Sequence, residues 1–462
     1  MSTIVCLGGG IEGLPILERV KALGHRLVVV DGNPDAPGRK LSQYFIEASC
    51  YDAKQTINQL ARLAGPSVAR DRAWPYDGIL CCAIDAPNVA AAVAARFGLP
   101  GLTVAQAALS CDKVDQFMQL AKADLPVPPD AALTFYGAVD TPHGLLPLDL
   151  NPYNLEKLGD VVIKPADSRG GRGVQLLHLT PDETDEHKAV WDACAYARQF
   201  SVSGKLIAEK FLSGPQFSTE SLVQDGHVLW TGIALRNYDR LEEYAPHIIE
   251  DGFDAPYGED DFRDQIEILL ERACRALGWF QQGGGVVKGD LVLHDNDLYI
   301  IELAARLSGG FLSTHGWPLA YGMPFVEYAI RLSLAKSVHV TDDWNASSFV
   351  AQRYVFPKPE WIGRKVVYDP KILTHDFPYT TMPRIWIGRV SPTKEYPGQV
   401  NVKPYPDIEF ASWNFHAGHV IRPVTDHAAR LGQAIAVGNT PEQARARASA
   451  AVEAMREGLV VE

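Results

Sequence analysis

The sequence predicts a multidomain protein that combines the α/β and α+β classes, with an open parallel α/β domain at its N-terminus. Residues 3–8 form an uninterrupted apolar run, which is typical of a buried parallel strand. A glycine-rich turn at 8–13 leads into a helix and then into a second strand that ends at Asp31, as in a βαβ unit. Farther along, short apolar runs between turn residues predict antiparallel strands, including a β-rich region over 348–420.

Length and composition are those of a globular protein and exclude several functions. The chain has 462 residues, enough for two or three domains, and 47% of them are hydrophobic. A formal net charge of −13 without a basic run argues against a nucleic-acid-binding surface. The apolar runs are too short for a membrane span, and the chain enters its first strand without a basic leader. Seven scattered cysteines without metal-ligand spacing predict buried thiols, and we therefore expect a cytoplasmic protein.

The glycine-rich turn leaves two interpretations open. Gly8 to Gly13 contains the G-x-G-x-x-G pattern, and Asp31 stands where a dinucleotide-binding enzyme holds a ribose. The same βαβ unit also occurs in folds that bind no nicotinamide. A strand at 78–83 and an alanine-rich helix at 88–97 extend this domain to about residue 110.

Two lysines in the middle of the chain stand at positions suited to phosphate. Asp112 is a plausible N-cap of a helix over 112–123, and Lys113 then lies in the first turn, where the helix dipole disfavours a cation. A strand at 160–164 ends at Lys164 and runs into a glycine–arginine tip. Backbone N–H groups of such a tip can surround phosphate oxygens, although a hairpin tip without a ligand is the alternative.

A predicted hairpin carries two opposed acids. Its strands, 289–294 and 298–303, each contain one acid, Asp290 and Glu302. Pairing across a tight turn would bring both carboxylates to one face, where their repulsion calls for a cation. Mg²⁺ fits, since it prefers hard oxygen ligands, and ordinary solvated acids are the alternative. Arg306 follows closely.

Two further segments complete the sequence-level description. Ser308-Gly309-Gly310 comes just after the hairpin, and its backbone N–H groups are suited to an anion. Residues 141–157 contain three prolines and only short apolar runs, and we expect an inserted surface loop there.

Taken in order, these segments resemble the ATP-grasp superfamily. The resemblance implies a flap subdomain and an antiparallel-sheet core after the α/β domain, and then a C-terminal β-rich extension ending in a helix. Residues 301–310 are similar to the corresponding segment of L-amino acid ligases, and the tail at 426–444 resembles carboxylate–amine ligases and purine-pathway relatives. The implied domains are the N-terminal α/β domain 1–110, the helical linker and flap 111–205, the core with the metal site 206–340, and the C-terminal subdomain 341–462.

The resemblance also implies a set of site residues. Lys164 and Arg306 would act in catalysis, Asp290 and Glu302 would bind the metal, and Arg306, Ser308, Gly309 and Gly310 would face the substrate. The ATP-binding residues would be Lys113, Lys164, Ser168, Arg169, Gly170, Gly171, Arg172, Gly173, Glu209, Lys210, Phe211, Leu212 and Glu220.

Two positions depart from the family pattern. Ala304 stands where many members have asparagine, which leaves one and two metal ions both open. Gln216 stands where an acid often follows the adenine hinge at 207–212, which puts the ribose contact in doubt. The spacing of 302 − 290 = 12 residues between the two acids is that of biotin-carboxylase-like members.

The expected activity is an ATP-dependent ligase that joins a carboxylate, an amino acid or similar small acid, to an amine through an acyl phosphate, releasing ADP and phosphate. The expected cofactors are ATP and Mg²⁺, with Mn²⁺ as an alternative metal. The expected partners are the small-molecule carboxylate and amine, with no nucleic acid and no membrane, and the resemblance makes a homodimer plausible. The alternatives are a biotin-carboxylase-like or purine-pathway-like carboxylase, a nicotinamide-dependent oxidoreductase, and a catalytically silent nucleotide-binding protein.

Overall fold

A computed structural model describes most of the chain as four β-sheets and their covering helices. The sheets have four, eight, two and three strands among the described residues. These residues are 1–65, 75–128, 138–141, 144–147, 159–179, 186–258, 260–341, 345–366, 408–415, 418–459 and 461–462.

The N-terminal sheet is open and fully parallel, as predicted. Its strand order is β3-β2-β1-β4, and successive residues of each strand enter two different hydrophobic cores. Ile4 and Cys6 pack into one core, whereas Val5 and Leu7 pack into the other, so both faces are covered. The elements are β1 Thr3–Leu7, α1 Leu14–Ala22, β2 Arg26–Asp31, β3 Tyr44–Glu47, α2 Ala53–Ala64, β4 Gly78–Cys81, α3 Pro87–Phe97 and α4 Val104–Ala108.

The glycine-rich turn after β1 is occupied by the protein's own groups. Both carboxylate oxygens of Asp31 accept backbone N–H groups, from Gly9 at 2.7 Å and from Asn33 at 2.8 Å. The Gly38 N–H donates to the Gly9 carbonyl at 2.8 Å, so a 3₁₀ turn at Pro37–Lys40 lies over the glycines. Asp31 therefore has a structural task in this turn.

The flap consists of a three-stranded antiparallel sheet of order β8-β7-β9 and a covering helix. The predicted loop at 141–157 is wrong for its first part, because residues 144–147 pair as an antiparallel strand with residues 138–141. Residues 142–143 and 148–157 lie outside the described part of the chain. The elements are α5 Lys113–Lys122, β5 Ala138–Thr141, β6 Gly144–Pro147, β7 Asp160–Pro165, β8 Gln175–His178, α6 Glu186–Arg198 and β9 Leu206–Lys210.

An eight-stranded antiparallel sheet of order β14-β13-β10-β11-β12-β15-β17-β16 forms the core. The strands after residue 341 extend this same sheet, because β15 pairs with β12. The helix Asp260–Leu277 buries its apolar face against the sheet, and Ile266 and Leu270 are fully enclosed. The elements are β10 Gln216–Gln224, β11 His227–Arg236, β12 Phe253–Ala255, α7 Asp260–Leu277, β13 Gly284–His294, β14 Asp297–Ala304, α8 Trp317–Tyr321, α9 Phe325–Ser333, β15 Phe349–Val355, β16 Ile408–Trp413, β17 Gly432–Gly438 and α10 Pro441–Glu457.

Two compositional expectations can be compared with the structure. All seven cysteines are free thiols, and six are buried, with Cys111 partly exposed. Within the described ranges, no helix combines the length and apolarity that crossing a membrane requires.

Candidate active site

A cavity of about 600 Å³ lies between the flap, the eight-stranded sheet and the N-terminal domain. All but two of the predicted site residues line it, and the exceptions are Gly173 and Glu220. The cavity therefore brings together residues from distant parts of the sequence, from Glu12 to Arg430.

The two predicted metal ligands face each other at the floor of the cavity. Asp290 and Glu302 are direct partners in the register of β13 and β14, at a point where the pairing shifts by one residue. Asp290 lies 2.5 Å from Lys288 Nζ and 3.2 Å from Arg236 Nη1. Burial raises the pKa of Asp290, but the charges of Arg236 and Lys288 outweigh it and hold that pKa well below its usual range. Asp290 is thus ionised at neutral pH.

This donor set fits Mg²⁺ bound together with a nucleotide. The described residues contain no cluster of three or more His, Cys, Asp and Glu side chains suited to a metal ion. Mg²⁺, however, is commonly bound by one or two carboxylates and completes its octahedron with water and phosphate oxygens. Asp290 and Glu302, paired across two strands, are such a set of carboxylates.

Lys113 connects the metal-site acids with the flap. Asp112 caps α5 by accepting the N–H groups of Val114 and Asp115, as predicted, and this places Lys113 at the first helical position. Lys113 Nζ lies 3.2 Å from Glu302 Oε1 and donates to the Ser168 carbonyl at 3.0 Å. Burial lowers the pKa of Lys113, but Glu302 and other carboxylates outweigh it, so the lysine stays charged.

Lys164 is held by an acid of the neighbouring strand. Its Nζ lies 2.6 Å from Glu209 Oε1, and both side chains are almost fully buried. The other oxygen, Glu209 Oε2, is buried without a hydrogen-bond donor in the described part of the chain. Lys210, Phe211 and Leu212 follow at the cavity wall, where the Phe211 N–H donates to the Asp160 carbonyl at 2.8 Å.

The tip of the flap, residues 168–173, contacts both ends of the chain. The Arg169 guanidinium stacks on the Tyr51 ring at 3.7 Å, in the N-terminal domain. The Gly170 carbonyl accepts the His427 N–H at 3.0 Å, from the C-terminal region. Gly173 points away from the cavity toward Phe200 and serves the turn, since its φ is +75°. The flap is therefore closed over the cavity.

Glu220, for which we predicted a contact with ATP, does not line the cavity. Glu220 is completely buried, because the segment from Ser308 to Trp317 lies over it. Its Oε1 accepts the Ser308 N–H at 2.7 Å and the Ser313 hydroxyl at 2.6 Å, and its Oε2 accepts Trp317 Nε1 at 2.7 Å. Glu220 thus holds the segment that contains the predicted substrate glycines.

Arg306 is paired with an acid that the sequence analysis missed. Its Nε lies 3.1 Å from Asp85 Oδ1, and its Nη1 donates to the Leu307 carbonyl at 3.1 Å. Asp85 follows β4 at the carboxyl edge of the parallel sheet, where ligand-binding residues of α/β folds collect. That rule could have identified it.

The glycine segment 308–310 is fixed from both sides. The Gly310 N–H donates to Glu12 Oε2 at 2.9 Å, and the Gly310 carbonyl accepts Gln352 Nε2 at 2.8 Å. Both partners come from distant parts of the chain. Cavity residues without a specific signal in the sequence include Glu12, Arg236, Tyr238, Glu250, Lys288, Gln352, Tyr354, His427 and Arg430.

Comparisons with known proteins agree with this architecture. Residues 111–310 match the family model described as ATP-grasp domain, and residues 395–457 match the model of L-amino acid ligase C-terminal domain 2. A curated relative, an uncharacterised protein of Sinorhizobium fredii, is 23% identical over 309 residues, which are 64% of this chain and 56% of the relative. The chain thus spans about half the length of that relative.

Solved structures share the fold over the whole chain. The L-amino acid ligase from Bacillus licheniformis has 17% identity and a TM-score of 0.69, covering 100% of this chain and 98% of its own. The phosphoribosylglycinamide synthetase from Anaerococcus prevotii has 16% identity and a TM-score of 0.65, covering 100% and 99%. The sequence resemblance likens the C-terminal tail to carboxylate–amine ligases and purine-pathway relatives, and the family model is more specific. The chain therefore carries an ATP-grasp domain at residues 111–310, as the resemblance predicted, and an L-amino acid ligase C-terminal domain 2 at residues 395–457.

Proposed function

We propose that the chain is an ATP-dependent ligase that joins a carboxylate to an amine through an acyl phosphate and releases ADP and phosphate. The observation that carries this proposal is the placement of the opposed pair Asp290 and Glu302 at the floor of one cavity, under a closed flap. Lys113, Lys164 and Arg306 line the same cavity.

This arrangement suits phosphoryl transfer to a carboxylate. A carboxylate reacts poorly with amines until a phosphoryl group converts it into a mixed anhydride. Phosphoryl transfer itself depends on positioning and on neutralising charge, and needs little covalent help from the protein. Lys113, Lys164 and the backbone N–H groups of the flap tip would hold the phosphates. Mg²⁺ held by Asp290 and Glu302, or Mn²⁺ in its place, would neutralise charge on the phosphate oxygens.

The opposite wall of the cavity is suited to the carboxylate. The Arg306 guanidinium has five N–H donors, and contacts to Asp85 and Leu307 use only part of them. The remaining donors and the backbone of Ser308 to Gly310 would orient the acid and then its acyl phosphate. A closed flap would exclude water, which otherwise hydrolyses such an intermediate.

ADP release tests the proposal directly. The full-length protein is incubated with ATP and MgCl₂, and with each proteinogenic amino acid alone and in pairs, while bicarbonate and NADH with simple carbonyl compounds form separate arms. We expect ADP release that depends on an amino acid, and mass spectrometry should detect an amide product. Release with bicarbonate alone would instead identify a carboxylase, and NADH oxidation without ADP release would contradict the proposal.

A further inference from the structure

Glu12 brings a carboxylate from the N-terminal glycine-rich turn into the cavity. It lies in a 3₁₀ turn, Ile11–Gly13, directly after β1. Ile11 packs against the large central core, and a Cβ on Gly13 would lie 3.1 Å from the Cys82 carbonyl oxygen. These close contacts on both sides fix the turn, so the direction of the Glu12 side chain is set by the fold.

The two oxygens of Glu12 differ in their hydrogen bonding. Oε2 accepts the Gly310 N–H at 2.9 Å, whereas no described residue donates to Oε1. Burial raises the pKa of Glu12, and the Gly310 amide and the charges of Arg430 and Arg306 counteract only part of this effect. A partly buried carboxylate oxygen without a donor is costly, and its position at the cavity allows a ligand to supply the donor.

The nearby arginines are directed toward other groups. Arg306 forms its ion pair with Asp85. Arg430 donates to the Glu250 carbonyl and stacks on the Tyr354 ring at 3.8 Å. Neither of these described arginines donates a hydrogen bond to Glu12, and their charges offset only part of the effect of burial, so a ligand cation could supply the rest.

Glu12 also adjoins the place where the substrate carboxylate is expected. A Cβ on Gly309 would lie 2.7 Å from Glu12 Oε2, so this carboxylate and the glycine backbone are in direct contact. In an α-amino acid a single carbon atom separates the ammonium from the carboxylate. An α-amino acid could thus place its carboxylate near Gly309 and Arg306 and its ammonium on Glu12.

We propose that Glu12 binds the α-ammonium of the amino acid whose carboxylate is activated, and that it determines the specificity for free α-amino acids. This inference rests on the proposed ligase function. The competing explanation is that Glu12 only positions Gly310, which requires a hydrogen-bond acceptor but no charge.

The test uses the amino acid that gives the fastest ADP release, together with its N-acetyl and 2-deamino analogues. Glu12→Gln keeps an acceptor for Gly310 but removes the charge, and Glu12→Ala removes both. Glu47→Gln, on the exposed end of β3, is the matched control. We expect Glu12→Gln to lower kcat/KM for the free amino acid by about 10- to 100-fold, the scale of a lost charged hydrogen bond. The same variant should lower kcat/KM for the deamino acid much less, so that the preference for the free amino acid over the deamino acid falls.

Several results would overturn the inference. If Glu12→Gln matches the wild type while Glu12→Ala loses activity, Glu12 is only a positioning residue. If the wild type uses the free and the deamino acid equally well, no ammonium is recognised, although the ligase function survives. If no acid elicits ADP release, the proposed function itself fails. In that case the binding of alanine and of propionate is compared by calorimetric titration. If the two bind with equal affinity, or if neither binds, the proposed role of Glu12 is contradicted. Melting curves confirm that each variant is folded.

Discussion

Arg306 Nε lies 3.1 Å from Asp85 Oδ1, and this ion pair joins two residues that are 221 positions apart. Both side chains are largely buried, with 14% and 16% of their surface exposed. The pair anchors the segment after β14 to the carboxyl edge of the N-terminal sheet. A mostly buried ion pair costs much more to break than a surface pair, because the remaining charge stays buried without compensation.

Replacement of Asp85 should therefore destabilise the protein in a pH-dependent manner. Burial raises the pKa of Asp85, but the Arg306 charge outweighs it and lowers that pKa below the usual 3.8. A carboxyl group whose pKa is lowered in the folded state stabilises the fold at pH values above its unfolded-state pKa. This contribution is lost as the pH falls through the folded-state pKa. We expect Asp85→Asn to cost about 3 kcal/mol at pH 7 and less at pH 3. Urea unfolding at both pH values measures this, with the exposed Asp35→Asn as control, and a pH-independent difference would contradict the argument.

Loss of Asp290 or Glu302 should weaken Mg²⁺ binding by at least about 100-fold. Replacing a residue that only hydrogen-bonds to a metal ligand weakens binding less than this. The variants are Asp290→Asn and Glu302→Gln, and Asp295→Asn at the exposed tip of the same hairpin is the control. The melting temperature is measured with a non-hydrolysable ATP analogue, once without and once with MgCl₂. The difference between the two values reports Mg²⁺ binding. Because the pKa of Asp290 lies well below its usual range, the wild-type effect should not weaken through Asp290 between pH 8 and pH 5. A normal Mg²⁺ response in both variants would refute the metal assignment.

Two neighbouring glycines of the flap tip form a matched pair. Gly170 and Gly171 have φ values of +64° and +71°, so an alanine strains the backbone similarly at either position. Only at Gly171 would the new Cβ meet the His427 ring, at 3.2 Å. We expect Gly171→Ala to raise KM for ATP about tenfold above Gly170→Ala, because crowding at His427 opposes closure of the flap. His427→Ala combined with Gly171→Ala should restore most of the difference, and equal KM values for both single variants would exclude this contact as the cause.

Glu220 should affect turnover more than ATP affinity. Glu220→Gln places an amide N–H₂ where a carboxylate accepts three donors, so at least one donor loses its acceptor, at a cost of about 1–3 kcal/mol. We expect a lower kcat and melting temperature with a nearly unchanged KM for ATP. Trp317→Phe removes the donor to Oε2, so the double variant should lose less stability than the sum of the losses in the two single variants. A rise in KM for ATP alone would restore the original assignment of Glu220 as a nucleotide contact.

Local patterns predicted the elements of the site well. Strand alternation placed Asp290 opposite Glu302, and the Asp112 cap placed Lys113 at the start of α5. Both features depend on interactions within a few residues or across one tight turn. Their geometry therefore follows from the alternation of side chains along a strand and from the preference of aspartate for the helix N-cap.

Residues that reach the cavity from elsewhere could not be found in this way. Glu12 lies 298 residues from Gly310, and Gln352 lies 42 residues from it, so their meeting depends on how the sheets pack. Glu220 shows the converse case, since it lies on the expected strand but the segment from Ser308 covers it. Periodicity specifies the face of a strand, whereas what packs on that face is decided by tertiary structure.

The cavity is lined by residues of the ATP-grasp segment 111–310 and by residues of the stretches before and after it. The proposed phosphate-binding and metal-binding groups lie within that segment, whereas Glu12 and Asp85 precede it and Tyr354 and Arg430 follow it. Changes in the outer stretches can therefore alter which acid is accepted while leaving the handling of the nucleotide intact. Grafting residues 1–110 from a related enzyme is accordingly a route to new substrates that preserves the phosphoryl-transfer machinery.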